Sequence, residues 1–142
     1  MNVIVTDTGF QPDDWVHDFI AIENLCANDP SPALAVDLQP SSSLDALRDR
    51  LDDIDMIRVH FPSFADGRGF SIAAALRHLG FAGRLRAVGH VLADQYAMAR
   101  RSGFDEVEIS DDLAARQPED QWLARANWQA HDYQSRLRAL PA

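Results

Sequence analysis

Five short runs rich in β-branched and other strand-prone residues punctuate the chain: VIVT at 3–6, ALAVDL at 33–38, MIRVHF at 56–61, RLRAV at 84–88 and EVEI at 106–109. Each predicts a β-strand. Between them the apolar residues recur every three or four positions, the period of a helix face. Leu44, Leu47, Leu51 and Ile54 form one such set, preceded by serines suited to an N-cap. Ile72, Leu76 and Leu79 form a second, ending at Gly80, and Leu92, Tyr96 and Ala99 a third, ending at Gly103. Trp15, Phe19, Ile22 and Cys26 fit one helical face, although WVHDFIAI suits a strand equally well. NDPSP at 28–32 reads as a loop. After Pro118, the stripe Trp122, Ala126, Ala130, Tyr133, Leu137 and Leu140 predicts a long amphipathic helix over 118–140.

Alternating strands and helices joined by short turns imply right-handed βαβ units. The expected fold is therefore α/β: a single domain over residues 1–142 with a mostly parallel sheet, open and doubly wound or closed into a partial barrel. A parallel strand covered on both faces should be apolar throughout. Three of these strands instead place polar residues at every second position: Arg58 and His60, Arg84 and Arg86, Glu106 and Glu108. One sheet face then carries a charged cluster, either a structural arginine–glutamate ladder or the wall of a polar pocket.

The chain has 142 residues, 46% of them apolar, which is enough for one buried core. Its net charge of −9 argues against a nucleic-acid partner. No apolar stretch reaches the roughly 20 residues that span a bilayer, and the N-terminus lacks the pattern of a signal peptide, so a cytoplasmic location is expected. All 13 basic residues are arginine. Lysine chemistry (Schiff bases, pyridoxal phosphate attachment, a P-loop) is thereby excluded, and any anion site must rely on arginine forks and backbone amides. The single cysteine, Cys26, cannot form an internal disulfide or a cysteine-only metal site, and reads as a core thiol.

Ligands of open α/β sheets collect beyond the carboxyl ends of the strands. Asp7, Thr8 and Gly9 follow the first strand, HFPSFADGRGFS (60–71) surrounds the end of the third, and GHVLADQ (89–95) follows the fourth. In the second of these stretches Gly67 and Gly69 permit close backbone approach, while Arg68 and Ser71 add a charged fork and a hydroxyl. With Arg86 and Gln95 they form a candidate anion cradle; a tight turn with Arg68 paired to Asp66 is the alternative. Ile72 occupies the position where a dinucleotide fingerprint needs a third small residue, so that motif is absent. The five histidines show no metal-ligand spacing. His60 and His90 meet if their strands pair, and with Asp94 they are candidate acid–base groups, unless both are simply hydrogen-bonded structural histidines.

The stretch FPSFADGRGFSIAAALRHLGFAGRLRAVGHVLADQ, followed by RRSGFDEVE, resembles an uncharacterised bacterial protein family whose members are commonly encoded beside the sulfite reductase haemoprotein and are often labelled oxidoreductases of sulfite reduction. The matching positions include Phe61, Pro62, Phe64, Asp66, Gly67, Arg68, Gly69, Ser71, Arg77, Gly83, Arg86, Gly89, Asp94, Gln95, Gly103, Phe104 and Asp105. The family usually has an acid where this chain has His90, and often a cysteine at Ser102. The resemblance implies a setting in sulfur assimilation, with sulfite reductase or another protein of that pathway as partner. Within it three roles are open. The first is an accessory protein that binds a partner or a small oxyanion. The second is a small-anion enzyme using the Arg/His/Asp groups at the strand ends. The third is a flavin- or nicotinamide-dependent oxidoreductase, although no cofactor motif is present in the residues themselves.

Overall fold

In the computed structural model, which describes residues 2–15, 18–22, 34–48 and 50–128, seven strands form a single sheet. They are β1 (Asn2–Thr6), β2 (Gly9–Pro12), β3 (Ile20–Ala21), β4 (Ala35–Leu38), β5 (Met56–Phe61), β6 (Arg84–Gly89) and β7 (Glu106–Ser110). Their spatial order is β2-β1-β7-β6-β5-β4-β3. The five strands β3 to β7 run parallel, and β1 closes the other side as an antiparallel hairpin with β2, pairing antiparallel to β7. The mostly parallel α/β sheet expected from the sequence is therefore present.

Each crossover from β3 to β7 steps one place in the same direction. Right-handed connections then fall on one face. Helices α1 (Arg68–His78) and α2 (Tyr96–Ser102) accordingly share one core with the strand residues Ile57, Val59, Phe61, Leu85, Ala87 and Val107. Their own contributions are Ala73 and Leu76 from α1, and Tyr96 and Ala99 from α2. Among the described residues, α1 and α2 pack on the same side of the sheet, and the strands alternate in polarity between that side and the other. Helix α2 stops at Gly103, whose φ of +119° only glycine adopts without strain.

Three connections differ from expectation. Among the described residues, the apolar set 44–54 forms two single 3₁₀ turns, Asp45–Leu47 and Leu51–Asp53, in place of one helix. Residues 20–21 of the first connection pair as a strand with β4. The C-terminal segment begins with helix α4 (Glu119–Leu123) and then turns at Ala124 and Arg125, so no helix runs on from 118 through 128. Residues 129–140 of the predicted helix, and Cys26, lie outside the described residues. Trp122 of α4 is nonetheless a core residue, 1% exposed, and meets Tyr96 edge-on at 6.1 Å. An additional helix, α3 (Asp111–Arg116), follows β7 directly. Among the described residues, no helix is long and apolar enough to cross a membrane.

Candidate functional site

Strands β5 and β6 end together, Phe61 opposite Gly89. Beyond them the chain is tied across the rim. The backbone N–H of His90 donates to the Phe61 carbonyl at 2.9 Å, and His90 Nδ1 lies 3.3 Å from the same oxygen. The Phe64 ring stands edge-on to the His90 imidazole, with centroids 4.9 Å apart. Gln95 accepts from the Leu92 N–H and donates through Nε2 to the Phe64 carbonyl. The junctions after β5 and β6 thus form one wall. Gly89 makes this possible: its φ is +111°, and a Cβ there would sit 2.7 Å from the Phe61 carbonyl oxygen.

The opposite wall is α3. Ser110 caps it by accepting the Leu113 N–H at 3.2 Å, which fixes the direction of its first turn. Between the two walls opens a recess of about 330 Å³, lined by Asn2, Phe64, Val88, Gly89, His90, Glu108, Ser110, Asp112, Leu113 and Arg116. It lies at the carboxyl rim of the parallel strands, where ligands of such sheets collect. Phe64, Val88 and Leu113 are its apolar surfaces.

Below the recess, the face of the sheet opposite α1 and α2 carries the charged ladder. Asp37, Arg58, Arg86 and Glu106 stand side by side in register on four neighbouring strands. Arg58 donates to both oxygens of Asp37, at 2.7 and 2.9 Å. Arg86, with no exposure to solvent, donates to Glu106 at 3.0 Å, to Glu108 at 2.9 Å and to Asp13 at 3.1 and 3.2 Å. Arg84 pairs with Glu106 and Asp14. Burial works to lower the Arg58 pKa, but its hydrogen bonds to Asp37 and the nearby Asp37 and Glu108 charges outweigh it and the net shift is upward. The Phe19 ring lies 3.7 Å from the Arg58 guanidinium and shields it from water.

Of the candidate anion-binding and acid–base residues, only His90 lines the recess, joined there by Phe64 and Gly89 of the family motif and by Glu108 of the charged face. Arg68 is exposed and folds back on Asp66, with Nη2 to Oδ2 at 2.7 Å and Nε to Oδ1 at 3.0 Å. This is the pairing that a tight turn calls for. Gly67 precedes α1 as its N-cap, Ser71 is exposed on that helix, and Gly69 packs against the tip of the Phe61 ring. Arg86 spends its donors on the ladder. His60 stands 3.3 Å from Asp37, facing the ladder and apart from His90. Asp94 is exposed and pairs with Arg125 at 2.9 Å. Asp7 belongs to the opposite rim, because β1 runs antiparallel; there it accepts from Tyr96, Arg100 and Trp128. Among the described residues, no group of three histidine, cysteine or acidic side chains converges as a metal site.

The recess also uses Asn2, Ser110, Asp112 and Arg116, which the sequence reading passed over. A signal for the last three was available. SDDLAAR after a strand has an N-cap serine, two acids in the first turn and an arginine in the last.

A family model described as "Bacterial protein of unknown function (DUF934)" matches residues 35–141. The chain belongs to this family. The match agrees with the resemblance to an uncharacterised bacterial family and is silent on sulfite reduction. It covers β4 through α4, and thus both walls of the recess, whereas Asn2 and Asp13 come from the preceding segment. No curated protein matches the chain.

Proposed function

We propose that this protein is an accessory of assimilatory sulfite reduction that acts by binding, and that it holds a small oxyanion in the rim recess beside His90 and Arg116. The recess is the observation that carries the reading. It contains two side chains able to bear positive charge, and Arg116 makes no ion pair with any described residue. A guanidinium beside a cavity, with no ion pair to a described residue, is a fork that can take an anion. The motif resemblance over residues 61–105 supplies the sulfite-reduction setting, with sulfite reductase or a neighbouring enzyme of sulfur assimilation as the partner.

Thermal melting of the full chain tests this. At ten times its dissociation constant, sulfite or sulfate should raise the melting temperature by about 4 °C relative to chloride. Arg116→Ala should melt like the parent protein without ligand and lose the rise. An absent rise, or an equal rise in Arg116→Ala, overturns the reading.

A further inference from the structure

A plain oxyanion uses only part of what lines this recess. Asp112 and Arg116 stand one helical turn apart on α3, the spacing at which opposite charges commonly pair. Both are exposed at the recess, and neither makes an ion pair with a described residue. The Glu108 carboxylate is engaged: its Oε1 faces Arg58 and Arg86, and its Oε2 accepts from the Asn2 amide nitrogen at 2.7 Å. That bond uses one Asn2 donor and leaves the amide oxygen of Asn2 as an acceptor at the recess. The recess therefore offers a cationic fork together with a carboxylate that has no described ion-pair partner and an amide oxygen. A small anion held at Arg116 and His90 would leave Asp112 and the Asn2 amide oxygen unused.

We infer that the recess takes an amino-acid-sized zwitterion, its carboxylate set against Arg116 and His90 and its ammonium against Asp112 and the Asn2 amide oxygen. The inference rests on the proposed function only in taking the recess as the ligand site. The size agrees, since 330 Å³ lies at the small end of ligand cavities. Phe64, Val88 and Leu113 provide apolar surface for a short side chain. His90 fits the carboxylate end: when Nδ1 donates to the Phe61 carbonyl, Nε2 is the ring nitrogen left for a ligand, and it donates once the imidazole is protonated.

L-Alanine and L-lactate differ chiefly in an ammonium against a hydroxyl, and so isolate this claim. Amide chemical shifts of residues 89–92 and 110–116 are followed while the full chain is titrated with L-alanine, L-lactate or sulfate. L-Alanine should bind roughly tenfold more tightly than L-lactate, the worth of one charge-assisted hydrogen bond. Asp112→Asn should bring L-alanine down to the L-lactate level, and Arg116→Gln should abolish both. Both positions are exposed, so the variants keep the fold, which far-UV circular dichroism verifies. If sulfate and L-lactate bind as tightly as L-alanine, the zwitterion inference fails and the oxyanion reading survives. If no titration moves these amides, both fail.

Discussion

Glu108 Oε1 lies 2.9 Å from Nη1 of Arg86, a guanidinium with no exposure to solvent. The same oxygen is 3.3 Å from Arg58, which stands directly opposite Arg86 on the next strand. Two arginines in register repel one another, and Glu108 is the charge that separates them. Glu108→Gln should therefore destabilise the protein by roughly 3 kcal/mol, the range for breaking a buried pair. Arg86→Met should cost at least as much, because it strips Glu106, Glu108 and Asp13 of a shared partner. Urea unfolding would read both as a lower midpoint at unchanged slope. A loss below about 1 kcal/mol for either variant would mean that the ladder behaves like a solvated surface.

Acid should weaken the fold through a defined set of carboxyls. Burial alone would raise the Asp37 pKa, but hydrogen bonds from His60 and Arg58 outweigh it and the net shift is downward. Asp7 is likewise lowered, with burial opposed by Tyr96 and Arg100, and Asp14 is lowered chiefly by Arg84. Below the ordinary carboxyl value the unfolded chain takes up protons before the folded one does. The contribution of these groups is thus complete above about pH 4 and is lost as pH falls toward their folded-state values. Melting temperature should fall below about pH 4 for this reason. Asp37→Asn should melt lower at pH 7 and show a shallower decline in acid.

Gly69 and Phe61 make a packing prediction with an unambiguous sign. Alanine is the better helix former by about 0.5–1 kcal/mol, so propensity alone favours Gly69→Ala. A methyl there would run into the buried Phe61 ring, which is hemmed in by Phe70 at 5.1 Å and Phe104 at 5.8 Å. Packing should win, with a net loss of about 1–3 kcal/mol. Adding Phe61→Leu should recover part of it. A melting temperature at or above the parent's for Gly69→Ala alone would contradict this packing.

Gln95 separates stability from binding. Gln95→Ala removes both of its bonds and should cost about 1 kcal/mol. By releasing the Phe64 carbonyl it should also weaken any ligand of the recess several-fold. Gln95→Glu keeps an acceptor for the Leu92 N–H but puts a carboxylate oxygen in place of the amide that donates to Phe64, so it should lose binding while retaining more of the helix start. Ligand titration and melting of the two variants would distinguish these effects.

The parallel sheet is legible in the order of strands and helices joined by short turns, and alternation in MIRVHF, RLRAV and EVEI reports a sheet with one apolar face, which β5 to β7 have. Spacing misled at 44–54 for a reason visible in the residues. Leu44 and Leu47, and Leu51 and Ile54, are each three apart, which suits a 3₁₀ turn as well as an α-helix, and the chain is already extended at Ile54. Strand direction leaves no trace in such patterns, so sequence alone groups Asp7 with a rim that the antiparallel β1 does not share. The motif that signals the family describes mostly the scaffold. Arg77 donates to the carbonyls of Phe81, Gly83 and Gly103 and to Asp105, and Asp105 in turn accepts from the Leu85 N–H. Gly103 is small because a Cβ there would meet the Arg77 side chain at 2.6 Å. The recess borrows Phe64 and Gly89 from this motif and takes Asn2, Ser110, Asp112 and Arg116 from outside it.

The antiparallel pairing of β1 to β7 bears on how this protein is best divided for experiment. Residues 35–141 are a natural choice of fragment, since they span the family match. Such a fragment would present β7 with bare N–H and C=O groups along one side. It would also remove Asp13 from Arg86 and the Asn2 amide from Glu108. Self-association through that unpaired strand, and precipitation on concentration, are the behaviours to expect from it.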